Sequence, residues 1–199
     1  MTGAKLILSM SIFLNRNKIE LVFVDWFGVL STNYYWCVQS QRNKLLKDWC
    51  DCVFDDAEIL NDWMRGKHSL KYLTEFRVKV NEDFLTETFL KDIEHYKPDT
   101  VLLETLNKLF PNAKKVLVTD NMSLFEHILK EYDYLNSYFY KMYLSHEIGF
   151  LKNDRPNSLF DFILKDLGRN DFQNCLLIDD HQANCQNFKE RGGRTVLVG

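Results

Sequence analysis

At 199 residues the chain has the length of one domain, or of one domain with a modest insertion, and its 46% hydrophobic residues can bury a core without disulfide support. A formal net charge of −3 provides no basic footprint for nucleic acid or for an anionic membrane, so neither partner is implied and no stable membrane association is expected. Five cysteines, Cys37, Cys50, Cys52, Cys175 and Cys185, repeat no metal-ligand spacing and form no small disulfide framework, a usage that suits a reducing cytoplasm.

The first apolar run, KLILSMSIFL, resembles a short signal segment behind one lysine. It leads into NRNKIE rather than a small-residue cleavage site, and it is too short to span a bilayer. It reads as an extension packed beside the domain. Residues 19–25, IELVFVD, are apolar on both faces and β-branched, which predicts a buried strand of a parallel sheet ending on Asp25. Residues 32–97 then break the pattern. They hold no convincing strand, only amphipathic stretches (QSQRNKLLKDWCDCVF, DDAEILNDWMRG, SLKYLTEFRVKV, DFLTETFLKDIEHY) closed by Pro98, and they read as a small helical insertion.

Beyond it strand and helix alternate. KVLVTD, FYKMYLS, NCLLIDD and RTVLVG read as strands, and the intervening DTVLLETLNKLF, MSLFEHILKEY, NSLFDFILKDLG and QANCQNFKERGG as helices. Asp99 is placed to cap the first of these helices, Gly168 to end the third, and Gly192 with Gly193 to end the fourth. The expected fold is therefore α/β: a doubly wound parallel sheet built from 1–31 and 98–199, with 32–97 inserted after its first strand.

Open α/β sheets bind ligands beyond the carboxyl ends of their strands. Asp25 closes the first strand here, Thr119, Asp120 and Asn121 the second, and Asp179 with Asp180 the fourth, while Lys152 lies in the loop after the third. Asp25 alone also fits a turn cap, and Asp179 and Asp180 also fit caps of the next helix. A carboxylate ending a buried strand is costly unless paired, however, and neighbouring like charges favour a cation. Together these groups suit phosphoryl transfer. A carboxylate can attack phosphorus, a hydroxyl and a lysine can neutralise the phosphoryl oxygens, and paired acids suit Mg²⁺. Gly28 lets the chain turn sharply and bares backbone N–H groups to an anion.

These motifs resemble the haloacid dehalogenase-like (HAD) hydrolase superfamily, from about residue 18 to 199. DWFGVL supplies Asp25, Gly28 and Val29 of its first motif, VLVTDN the Thr119 of its second, LSHEIGFLKND the Lys152 of its third, and LLIDDHQAN the acidic pair of its fourth. The resemblance implies a Rossmann-like core with 32–97 as a small cap. It implies Asp25, Thr119 and Lys152 as catalytic residues, and Trp26, Phe27, Gly28, Thr119, Asp120 and Lys152 around a phosphate. It implies Mg²⁺ held by Asp25, the Phe27 carbonyl and Asp180, with Asp179 behind or as an alternate ligand, and Asn184 one turn on, where relatives often carry another acid.

Asn153 stands where the family's lysine is usually followed by proline, and a larger departure lies at Phe27. In the family's phosphatases this position is the aspartate that protonates the leaving group and then activates water, which phenylalanine cannot do. Dehalogenases and phosphonate hydrolases lack that acid too. The tryptophan of DWFG resembles the phosphonate type, for which Lys67 is the candidate imine former, whereas the retained acidic pair argues for a metal and against a dehalogenase. The leading expectation is a Mg²⁺-dependent hydrolase of a small phosphorylated molecule, acting through an aspartyl-phosphate on Asp25 and slow or unusual because of Phe27. The rival is a catalytically impaired member serving as a binding or scaffolding module. His181 and His146 read as solvated, WCDC as incidental, and the NYYW and YFYKMY clusters as core and cap-interface aromatics.

Overall fold

Leu21–Val24 form β1, whose four residues are all buried, as a strand covered on both faces requires. A computed structural model describes residues 18–198; the run KLILSMSIFL lies outside the described residues. β2 (Lys114–Thr119), β3 (Lys141–Leu144), β4 (Cys175–Asp179) and β5 (Arg194–Leu197) complete a five-stranded sheet in the order β3-β2-β1-β4-β5, every pairing parallel. β2 and β3 lie to one side of β1, and β4 and β5 to the other. The order therefore reverses between β1 and β4, where such sheets open a crevice at their carboxyl ends. Val24 is in register with Leu117 and with Ile178, and the Asp25 amide continues the ladder by donating to the Ile178 carbonyl at 3.0 Å.

Side chains alternate between two cores, as the two-residue period of a strand dictates. Leu21, Phe23, Val116, Val118 and Leu177 face one helical layer, where Phe172 and Phe188 stack at 4.2 Å and both meet Phe23 edge-on. Val22, Val24, Leu117 and Ile178 face the other, which is continuous with a large aromatic cluster from residues 32–97. In that cluster Trp36, Trp49 and Trp63 are fully buried, with ring centroids 5.2 to 6.5 Å apart. No residue of 32–97 is in a strand; the segment is built of α1 (Gln39–Arg42), α2 (Lys44–Phe54), α3 (Ala57–Met64), α4 (Leu70–Leu73), α5 (Glu82–Lys91) and a 3-10 turn at Ile93–Tyr96.

Two helical stretches are shorter than their patterns predict. Asn43 adopts an extended backbone and its side chain accepts from the Leu46 amide, so QSQRNKLLKDWCDCVF splits into α1 and α2 at an internal cap. SLKYLTEFRVKV is helical only over Leu70–Leu73. Arg77 takes a positive φ of 51°, and the β-branched Val78 and Val80 follow in loop. FYKMYLS likewise yields only the short β3 before the chain enters α8 (Ser145–Ile148).

The other helices are α6 (Thr100–Leu109), α7 (Phe125–Glu131), α9 (Leu159–Asp166) and α10 (Gln182–Glu190). Asp99 caps α6 through the Leu102 amide at 2.9 Å, and Gly168 and Gly192 take positive φ just past α9 and α10. No helix among the described residues is long and apolar enough to cross a membrane.

Candidate active site

The turn after β1 is fixed from both sides. The Trp26 ring is fully buried against Phe125, with centroids 5.0 Å apart, while the Trp26 amide donates to Asp25 Oδ1 at 2.7 Å. Gly28 has φ +75°, and its amide donates to the Ser31 carbonyl at 2.8 Å. A Cβ on Gly28 would lie 1.9 Å from Asp180 Oδ2, so the position demands glycine for space as well as for conformation: the Asp180 carboxylate leans over the turn.

Lys152 lies at the centre of the site. Only 1% exposed, it places Nζ 2.6 Å from Asp25 Oδ2 and 2.7 Å from Asp179 Oδ2. Its loop is held by other groups. The Asp120 carboxylate accepts the Lys152 amide at 3.0 and 3.2 Å, and Asn187 donates to the Lys152 carbonyl at 2.6 Å. Asn153 fits the same scheme: its amide donates to Asn184 Oδ1 at 2.5 Å, and Asn184 in turn donates to Asp179 Oδ1 at 3.0 Å. Asn153, which follows the lysine, and Asn184, one turn beyond the acidic pair, thus bond to each other and support Asp179.

Four carboxylates, Asp25, Asp120, Asp179 and Asp180, share this one ammonium. Burial alone would lower Lys152, but Asp25, Asp179 and Asp120 together hold it well above its ordinary value, so it stays charged. Burial pushes Asp25 upward against the pull of Lys152, raises Asp120 to about 6, and raises Asp180, with the Asp179 charge adding to the last. Asp179 is also buried, yet Lys152 and the His181 amide hold it below its ordinary value. The cluster therefore carries an excess of negative charge. Carboxylate oxygens of Asp25, Asp179 and Asp180 lie within 4.8 Å of one another, a donor set and a charge that fit a hard divalent cation.

Thr119 is oriented by a relay absent from the sequence expectations. Tyr35 donates its hydroxyl proton to Asn121 Oδ1 at 2.8 Å, and Asn121 donates to Thr119 Oγ1 at 2.7 Å, which leaves the Thr119 proton free to donate. Asp25, Phe27, Thr119, Asp120, Lys152 and Asp180 line a single cavity of about 880 Å³, together with His181 and Asn184.

Not every candidate reaches the cavity surface. Trp26, Gly28 and Asp179 do not line the cavity, the first being a core anchor and the other two lying under Asp180 and Lys152. Lys67 also lies outside it, exposed and paired with Asp62 at 2.9 Å, so the structure gives an imine role no support. His146 is not solvated: its side chain is 6% exposed, with Nδ1 3.0 Å from the Asn121 carbonyl. Cys50 and Cys52 join no group of metal ligands among the described residues.

Arg65, at the end of α3, was not anticipated. Its guanidinium bonds Asp154 through Nε at 2.9 Å and Nη2 at 2.5 Å, and Asp154, two residues past Lys152, also accepts the Leu151 amide. Ser145 Oγ makes a second tie, donating to the Met64 carbonyl at 2.6 Å and accepting from the Asn121 amide at 2.8 Å. Arg65→Ala strands a partly buried carboxylate beside the lysine loop. It is expected to cost about 2 kcal/mol in urea unfolding, with Arg65→Lys recovering only part because it cannot form the forked pair.

No protein-family model and no curated protein matches the chain. Solved structures do. The HAD family enzyme bt-2542 from Bacteroides thetaiotaomicron, a magnesium complex, is 18% identical with a TM-score of 0.70, over 90% of this chain and 93% of that one; it is also known in complex with magnesium and inorganic phosphate. A predicted HAD-like family hydrolase from Porphyromonas gingivalis is 18% identical with a TM-score of 0.67, over 90% and 91%. The L-2-haloacid dehalogenase from Xanthobacter autotrophicus with chloropropionic acid covalently bound is 13% identical with a TM-score of 0.64, over 90% and 77%. The likeness covers 90% of the chain in each case, and the protein has the haloacid dehalogenase-like fold.

Proposed function

We propose that the protein is a divalent-cation-dependent hydrolase of a small phosphorylated molecule, acting through an aspartyl-phosphate on Asp25, with 32–97 as its cap. The observation that carries this reading is the buried Lys152 ammonium between Asp25 and Asp179, beneath an Asp180 carboxylate that leans over the Gly28 turn. A purely structural ion pair would need one carboxylate for one lysine. This cluster has four.

Asp25 attacks phosphorus through a carboxylate oxygen; the new P–O bond forms as the bond to the leaving oxygen breaks. Lys152 and the free Thr119 proton neutralise phosphoryl oxygens as that happens, and both are positioned before any ligand arrives. Water then attacks the aspartyl-phosphate, releasing inorganic phosphate and restoring Asp25. Asp25, the Phe27 carbonyl and Asp180, with Asp179 behind them, would hold Mg²⁺, which when bound offsets the charge of the phosphoryl oxygens. Magnesium and phosphate in the Bacteroides relative support the assignment.

Phe27 supports a second reading, in which the fold keeps the cation and anion site but serves as a binding or scaffolding module. Turnover of 4-nitrophenyl phosphate with Mg²⁺ and with chelator separates the two, because nitrophenolate leaves without a proton. Metal binding has its own test. Saturating Mg²⁺ is expected to raise the melting temperature by on the order of 5 °C through mass action. Asp180→Asn should abolish that increment without lowering the metal-free melting temperature, since it removes one charge from an over-acidic cluster. An undiminished shift in Asp180→Asn would place the cation elsewhere.

A further inference from the structure

We infer that the molecule hydrolysed at this site carries a planar, apolar leaving group of low basicity, an aryl phosphate or an equally stabilised oxyanion. The inference rests on the phosphatase reading above and names the substrate class for it.

The cavity, about 880 Å³, is large enough for an organic ligand well beyond a phosphate. Away from the carboxylates much of its lining is apolar, with Phe27, Tyr34, Phe54, Leu60, Met64 and Met122 beside the polar Asn61, Arg65 and Asn153. Phe27 and Tyr34 lie 5.3 Å apart at a shallow 30°, and Tyr35 meets Phe27 edge-on at 5.0 Å, which makes a continuous aromatic wall rather than scattered rings. Several polar groups of the lining are already engaged, Asn153 by Asn184 among them. The Arg65 guanidinium is already held by Asp62 and Asp154, and the Tyr35 hydroxyl by Asn121. An apolar, flat group fills such a wall, whereas a polyhydroxylated one would leave the hydroxyls that face its rings without partners.

A second property of Phe27 points the same way. Phe27 occupies the turn where a proton donor would serve the leaving oxygen and provides none. A bond to a phenol-like oxygen, whose conjugate acid has a pKa of about 10, breaks without that proton far more readily than one to an alcohol, which resembles water at about 16. Phe27 contributes to both, as a ring of the wall and as the residue without a proton to give, and both select the same chemistry. His181 also lines the cavity, and its use as a donor would erase the distinction between aryl and alkyl esters, which the test reads directly.

The test uses the full chain with Mg²⁺ and three esters: propyl, phenyl and 1-naphthyl phosphate. Phenyl and naphthyl leaving groups are alike in basicity but differ by one ring. Phenyl phosphate should exceed propyl phosphate at least about 10³-fold in kcat/KM, and naphthyl phosphate should exceed phenyl about tenfold, through KM. Leu60→Ser and Met64→Ser should each reduce the naphthyl preference to near parity. Calorimetry with 1-naphthylmethylphosphonate and methylphosphonate measures the same wall without chemistry, and the larger probe should bind at least about tenfold tighter. Esters turned over with propyl equal to phenyl, or with no naphthyl preference in either turnover or binding, would overturn the inference while leaving the phosphatase reading in place. The converse is also distinguishable. If no ester turns over but the naphthyl probe keeps its advantage and Leu60→Ser abolishes it, the hydrolase reading fails and the ligand class stands.

Discussion

Asp25→Asn is expected to lower hydrolysis of 4-nitrophenyl phosphate by on the order of 10⁴-fold or more, and to abolish the mass increment of a covalent phosphoenzyme in quenched samples. The substitution keeps the shape of the side chain and an oxygen to accept the Trp26 amide, but it removes the nucleophilic charge. It should not unfold the protein. Lys152 retains Asp179 at 2.7 Å and the nearby Asp120 charge, and the cluster loses one of its surplus negative charges. Lys152→Met is the instructive contrast. It leaves buried carboxylates facing one another with no cation, at a cost of about 3 to 5 kcal/mol, so inactivity there would confound chemistry with folding. Wild-type turnover in a folded Asp25→Asn protein would remove Asp25 from the mechanism.

That asymmetry between neighbours bears on what the sequence disclosed. IELVFVD predicts a strand buried on both faces, and NCLLIDD predicts another; the structure pairs the two in parallel and in register, which puts Asp25 beside Asp179. Local patterns also carry the caps, since Asp99 and the glycines past α9 and α10 act within a single turn. Contacts between distant segments carry no such signal. Arg65 meets Asp154 across 89 residues and Tyr35 meets Asn121 across 86, and neither partner stands out in its own neighbourhood. Asn121, directly after VTD, was named among the polar residues at the strand end, but its use as the residue orienting Thr119 depends on Tyr35, which the pattern assigned to aromatic packing.

The direction of Trp26 was equally hidden. A strand period would carry residues 25 and 27 to one face and residue 26 to the other, yet after Val24 the chain turns on Gly28, and only packing against Phe125 shows that the indole anchors the turn instead of contacting a ligand. Asn43 and Arg77 misled for another reason. Amphipathic spacing continues across both positions, while a side-chain cap at the first and a left-handed backbone at the second end the helix by local geometry that periodicity does not register.

Phe27→Asp is expected to raise kcat/KM for propyl phosphate by about 10² to 10⁴-fold while changing 4-nitrophenyl phosphate far less. Position 27 is half-buried and lines the same cavity as Asp25, so a carboxyl there shares the space into which Asp25 opens. The environment suits an acid. Lying beside carboxylates that outnumber the one ammonium, the new group would be pushed upward in pKa and would hold its proton near neutrality, ready to pass it to an alkoxide. The same group, once deprotonated, can activate water, so the phosphoenzyme should also decay faster. Against this stand two losses. The ring contacts with Tyr34 and Tyr35 disappear, at a cost of about 2 kcal/mol for a half-buried aromatic, and a further acid, charged whenever it gives up its proton, joins an already over-acidic site. Both losses fall on the metal-free protein, so the variant should melt lower without Mg²⁺ and recover more than the wild type when Mg²⁺ is added. Because the substitution also removes part of the aromatic wall, naphthyl phosphate should lose affinity as propyl phosphate gains rate, which separates the proton from the wall in one protein. A folded, Mg²⁺-binding Phe27→Asp variant with no activity on either ester would mean that more than the acid has been lost, and the balance would shift to the scaffolding role.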